Sequence, residues 1–166
     1  MSSGKVHMDI ICFGAGGTKG RCGTGFLLHS RLKHKSFQQT SERVSALDVI
    51  IGVSRYGFIG VYMRHTGLQD ELVQTTYDEL DVLVDAARAR GSQVIIGGDM
   101  NAEVGCEHED DSDGVVGPYS VRPRNQRGEW LVQWATIRGF ALTNTMFFGR
   151  AEDLWTYSRV GSFFAA

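Results

Sequence analysis

Eight consecutive residues, Gly97-Gly98-Asp99-Met100-Asn101-Ala102-Glu103-Val104, carry the side chains best suited to chemistry in this 166-residue chain. A carboxylate follows a glycine pair just after the apolar run Val94-Ile95-Ile96. In open α/β sheets, functional groups gather where strands end at their carboxyl edge. Asp99 and Asn101 are two apart, so on extended backbone their side chains point to the same side. The carboxylate can take a proton or hold a cation, and the amide can donate to an anionic oxygen. Water-driven cleavage of a phosphodiester needs such a pair, a base for the nucleophile and a donor for the phosphate. Gly-Asp-x-Asn is also an ordinary turn sequence, and the residue types alone leave both readings open.

Other stretches invite a chemical reading and carry it less far. The run Gly14-Ala-Gly-Gly-Thr-Lys-Gly20 looks like a phosphate loop, but Thr18 stands directly before Lys19 where a glycine is required and no long helical pattern follows, so it reads as a turn. The acidic run from Glu107 to Gly114 resembles a calcium loop. With Gly114 at loop position six, position twelve is Ser120, which cannot give the bidentate carboxylate, and a solvated loop is expected. Arg31, Lys33, His34 and Lys35 could touch a phosphate backbone or be scattered surface basics. Cys12, Cys22 and Cys106 are odd in number and lack C-x-x-C spacing, which argues against a disulfide frame and a zinc site.

The elements that must position these residues are legible in outline. Hydrophobic residues make up 42% and charged residues 22%, ordinary globular usage that excludes a fibrous or disordered chain. The length fits a single domain spanning 1–166. No apolar run approaches the roughly 20 residues of a membrane span, and the start lacks a secretory apolar stretch. An intracellular protein, nuclear or cytoplasmic, is the expectation. Charge is uneven: nine Lys/Arg face three Asp/Glu over 1–69, two face thirteen over 70–113, and six face three over 114–166. An acidic centre between basic flanks suits a cation and a polyanion, or simply an acidic helix and loop.

Strands are predicted over 9–13, 25–29, 44–51 and 57–62, with 52–56 as a longer hairpin loop. Leu72, Val73, Thr76, Tyr77, Leu80, Leu83, Val84 and Ala87 recur at helical spacing, predicting a helix over 70–90 that Gly91 stops. Residues 94–96 read as a central, fully buried strand. A second helix is predicted over 126–138, burying Trp130, Leu131, Trp134 and Ile137, with Asn125 as N-cap and Gly139 as stop. Segments 140–145 and 154–157 read as further strands. Strands alternating with helices point to an α/β class.

The block VIIGGDMNAEVG resembles the G-D-x-N signature of the endonuclease/exonuclease/phosphatase superfamily. RCGTGFLLHSRL, SERVSALDV, YGFIGVYM, the 70–90 helix, the acidic block, VVGPYSVRPRNQRGEWLVQWATIRGFALTNTMF and DLWTYSR follow in the order seen in LINE-type retrotransposon endonucleases and their domesticated relatives. The resemblance covers about residues 9–159. It implies a DNase I-like fold, a two-layer β-sandwich flanked by helices. It also implies a Mg²⁺-dependent phosphodiester hydrolase acting on DNA, with a reverse transcriptase as a neighbour in a longer protein and no membrane partner. Asp99 matches the aspartate that aligns or deprotonates water, Asn101 the asparagine that binds the scissile phosphate, and Tyr62 a tyrosine reaching that phosphate. Asn125 resembles an asparagine that approaches the nucleic-acid backbone, though it could simply cap its helix. Thr156 resembles a threonine near the phosphate, though a β-branched strand residue also suffices.

The departures shape the expectation. Gly60 stands where the family has asparagine, and Arg64 where it has proline. The family's Q-E-T segment with the metal-binding glutamate, and its I-D-Y and S-D-H segments, have no counterpart here, so the metal ligand in this chain is unknown. A partial domain is expected, inactive or weak in hydrolysis, with unpaired strand edges and apolar strand faces left open. A non-catalytic remnant or binding fragment is one alternative, and a phosphatase of small phosphoesters is another.

Overall fold

The computed structural model describes residues 10–16, 23–65, 69–120 and 122–149. The chain is mixed α/β and divides into two compact units, Met1–Asn101 and Ala102–Ala166. No helix of the described residues is long and apolar enough to cross a membrane.

In the first unit, β1 (Ile10–Gly16) and β2 (Gly23–His29) form an antiparallel pair. β3 (Lys33–Gln39), β4 (Val44–Ile51), β5 (Ser54–Tyr62) and β6 (Gln93–Asp99) make a four-stranded sheet in that order. Its first three strands are antiparallel, and β6 runs parallel to β5. A parallel neighbour needs a crossover, and α1 (Asp70–Ala89) supplies it. α1 packs on β4, β5 and β6, while β2 packs on β4 and β5.

β4 is therefore covered on both faces, which is why VSALDVII reads as a run rather than an alternation. Leu47 and Val49 join Leu28 in a buried cluster backed by Phe13, Phe26, Leu32, Phe37 and Phe58. On the other face, Gly57 of β5 lets Ala87 of α1 come close, since a Cβ there would stand 2.9 Å from that of Ala87. Burial of Val73, Tyr77, Leu80, Leu83, Val84 and Ala87 holds α1 to the sheet.

Several expectations are corrected here. β6 is the sheet's edge among the described residues, not a central strand. Val94 and Ile96 are half-buried on the α1 face, but Ile95 is 47% exposed on the other, where β2 covers only β4 and β5. A three-residue apolar run has no alternation to reveal that difference. The 52–56 loop shortens to Gly52-Val53, with Gly52 at φ 63 as a type II′ turn allows at its first position. The basic segment at 33–39 is a complete strand whose register shifts between His34 and Ser36. Leu72, in the first turn of α1, is exposed although it shares the apolar side of the helix with the buried Leu83.

The second unit holds α2 (Gln126–Arg138), the span predicted, and a 3₁₀ turn at Thr143–Thr145 where a strand was expected. The Thr145 hydroxyl explains that turn: it donates to Leu142 O and accepts from Gly117 N, both at 2.7 Å. Segment 154–157 lies outside the described residues. α2 buries Arg127, Gly128, Leu131, Val132 and Ala135, whereas Ile137 is 81% exposed, roughly opposite that face on the helical wheel. Trp130 and Trp134 are half-buried, one beneath the Arg127 guanidinium and the other stacked on Phe140. Gly128 orients the helix, since a Cβ there would strike Glu103 O.

Asn125 caps α2: its Oδ1 accepts from Gly128 N at 2.8 Å and from Glu103 N at 3.3 Å. Gly139 closes the helix in the left-handed conformation at φ 65. Asn125→Ala is expected to lower unfolding stability by about 1–2 kcal/mol, read from the urea midpoint, with Asn125→Asp close to the parent.

Candidate functional site

The site is assembled where β5 and β6 end side by side. Parallel pairing sets Tyr62 opposite Asp99, the last residues of their strands. Gly98 makes the pairing possible. Its φ is 149°, and a Cβ at that position would stand 1.9 Å from Val61 O, so no larger residue fits without moving the seam.

Beyond the pair the chain turns on itself. Met63 N donates to Asp99 O at 2.8 Å, and Asn101 N donates to Asp99 Oδ1 at 2.9 Å, an Asx turn. Asn101 sits at φ 47, a conformation asparagine tolerates better than most residues, and its Nδ2 donates to Met63 O at 2.8 Å. This corrects one premise: Asp99 and Asn101 are not successive same-side positions of an extended strand. The two residues are brought together by the turn.

Asp99 is exposed, while Tyr62 and Asn101 are half-buried. Tyr62 is further held by Arg43, a residue the sequence reading passed over. Tyr62 N donates to Arg43 O at 2.9 Å, Arg43 Nη1 donates to Tyr62 O at 3.2 Å, and the guanidinium carbon lies 5.1 Å from the tyrosine ring centre. One carboxylate, one amide, one phenol and one guanidinium thus belong to the same strand end and the backbone it pairs with. Such a set can accept a proton from water and offer donors to an anionic oxygen.

The remaining candidates belong to other segments of the chain. Asn125 belongs to the second unit as a helix cap, and Thr156 lies outside the described residues. Cys12 and Cys106 are free and exposed, and Cys22 is outside the described residues. No group of three His, Cys, Asp or Glu side chains suited to a metal ion gathers among the described residues.

Two carboxylates gripped by arginines are also absent from the sequence reading. Asp48, 2% exposed, accepts from Arg90 Nε at 2.8 Å, Arg55 Nη2 at 3.0 Å, Ser36 Oγ at 3.1 Å and Ser92 Oγ at 3.4 Å. Burial pushes its carboxyl up, but the hydrogen bonds from Arg55, Arg90 and Ser36 prevail and hold it below the usual value. A charge within an otherwise apolar strand was the available signal, since a buried carboxylate needs partners.

In the acidic block read as a solvated loop, the Asp111 side chain is only 5% exposed and grips Arg124 through both oxygens, at 2.7 and 2.6 Å. Those bonds hold its carboxyl low against the effect of burial. Arg124 Nε also donates to Val104 O at 2.7 Å, so the pair fastens one loop to another.

Compared with protein-family models and with curated proteins, the chain matches none.

Proposed function

We propose that the β5/β6 end is a phosphodiester-recognition site of the endonuclease/exonuclease/phosphatase type, built on a DNase I-like arrangement and directed at nucleic acid. One observation carries the reading: strand register pairs Tyr62 with Asp99 while the Asx turn brings Asn101 beside them. The layering of α1, the four-stranded sheet and the β1–β2 pair is compatible with that arrangement. In this reading the exposed Asp99 carboxylate orients water, and the Tyr62 hydroxyl and Asn101 amide donate to phosphate oxygens.

The family's magnesium does not fit the described residues as a self-sufficient site. Mg²⁺ takes near-octahedral oxygen ligands, commonly one or two carboxylates with waters and substrate phosphates. No cluster of candidate ligands gathers among the described residues. Recognition without efficient turnover is the function this geometry supports best. The Asn101 amide already donates one hydrogen to Met63 O, and Asp99 Oδ1 already accepts from Asn101 N, which favours a rigid binding turn.

The test is fluorescence anisotropy with a labelled DNA duplex, alongside plasmid nicking in Mg²⁺. Weak binding is expected, of order 10⁻⁴ M at physiological salt, strengthening about tenfold at low salt as counterions are released. Nicking is expected to be undetectable. Salt-independent binding or none would overturn the reading. Strong nicking abolished by Asp99→Asn, which keeps an acceptor for Asn101 N, would replace it with a complete nuclease.

A further inference from the structure

Arg43 stands over the Tyr62 ring in a specific geometry. Arg43 lies just before β4, two strands away from β6, yet its backbone and side chain both engage Tyr62. The Arg43 carbonyl accepts from Tyr62 N, Nη1 donates to Tyr62 O, and the guanidinium carbon stands 5.1 Å from the ring centre. A guanidinium within about 6 Å of an aromatic centroid is attracted to the ring face. The ring is thereby fixed on the residue that register pairs with Asp99.

An anionic phosphate approaching this strand end meets the Asp99 carboxylate, which repels it. A tyrosine hydroxyl and an asparagine amide are neutral donors and do not offset that charge. Arg43 does. We infer that Arg43 is the positioning and charge-balancing residue of the phosphate site: it holds the Tyr62 ring and supplies the positive charge that lets a nucleic-acid phosphate settle beside Asp99. The inference rests on the phosphodiester reading and adds to it the residue that sets its electrostatics.

The consequence is electrostatic and therefore separable from a structural role. Each neutralised phosphate contributes about −0.9 to the slope of log affinity against log salt on duplex DNA. Arg43→Gln keeps a long side chain able to donate to Tyr62 O but removes the charge. Arg43→Lys keeps the charge and loses the planar stack. Duplex-DNA anisotropy titrations across a salt series, with far-UV circular dichroism to confirm folding, decide the matter.

Arg43→Gln is expected to weaken low-salt binding about tenfold and to reduce the salt slope by about 1. Arg43→Lys should keep the parental slope while losing a few-fold in affinity. Tyr62→Phe should lose a few-fold with the slope unchanged, as a neutral donor would. If Arg43→Gln keeps the parental slope, or if Gln and Lys behave alike, Arg43 is merely structural and the inference fails while the phosphate reading stands. If the parent chain itself shows no salt-dependent binding, the phosphate reading fails and this inference falls with it. Should Arg43→Gln not fold, the slope of Arg43→Lys decides: a reduced slope with charge retained overturns the inference.

Discussion

Replacing Asp48 with asparagine is expected to remove about 3 kcal/mol from the unfolding free energy, a large share of the roughly 5–15 kcal/mol a domain holds. The carboxylate is 2% exposed and joins β4 to the β5 arginine Arg55, to Arg90 beyond α1, and to Ser36 and Ser92. Asparagine keeps the shape and part of the hydrogen bonding but leaves two guanidinium groups without their counter-charge. Removing one partner of a buried pair costs about 3–5 kcal/mol, and the lower end applies because both arginine side chains reach solvent, at 32% and 28% exposure.

The same residue predicts an acid limb. Its folded carboxyl titrates below the ordinary 3.8 of the unfolded chain. The stability it confers is therefore complete above that value and is lost as pH falls through the lower folded value. Urea midpoints measured from pH 6 downward should fall below about pH 4 in the parent and fall less steeply in Asp48→Asn. An identical acid limb in both would remove Asp48 from the account, although Asp111 in the second unit titrates in the same direction and keeps some slope.

Gly98→Ala should have the other large effect, and its neighbour supplies the control. At Gly98 an added methyl meets the Val61 carbonyl at 1.9 Å, on a backbone at φ 149 that side-chain-bearing residues rarely adopt. Backbone strain there costs about 1–3 kcal/mol and overpacking a similar amount, so the β5–β6 seam should open. Hydrogen exchange would report it directly: the Met63 amide, bonded to Asp99 O at 2.8 Å, should lose its protection. Gly97, one residue earlier, has nothing within 4 Å of an added Cβ and no positive φ, and Gly97→Ala should change stability by less than about 1 kcal/mol. Equal tolerance at both positions would mean that the seam is not as close as described.

What could be read from the sequence follows physical lines. α2 was bounded correctly because its signals are local: an asparagine that caps and a glycine that must turn left-handed. Five of the first unit's six strands were found because apolar runs fall between turn signals, whereas β3, made of Lys, His, Ser and Gln around one Phe, carries no such run. Burial was harder. Ile95 and Ile137 look like core residues by type, and only the limited reach of the β1–β2 pair and the position of Gly128 show them exposed. At the site, the spacing of Asp99 and Asn101 was visible, but the turn was not, because it depends on a backbone angle and on a carbonyl 38 residues away at Met63. Arg43 was hidden for the same reason: nothing local connects it to Tyr62.

The Asx turn gives the two oxygens of Asp99 unequal duties. Oδ1 shapes the loop by accepting from Asn101 N, and the other oxygen is left for solvent and ligand. Truncation to alanine therefore erases architecture and reactivity together, and a lost signal would not say which one mattered. An asparagine at 99 still offers a carbonyl oxygen to the Asn101 amide while deleting the negative charge, so it separates the two duties. Removing that charge should also ease the approach of an anion. A ligand that binds more tightly to Asp99→Asn than to the parent would be an anion meeting this carboxylate, whatever its chemical reaction proves to be.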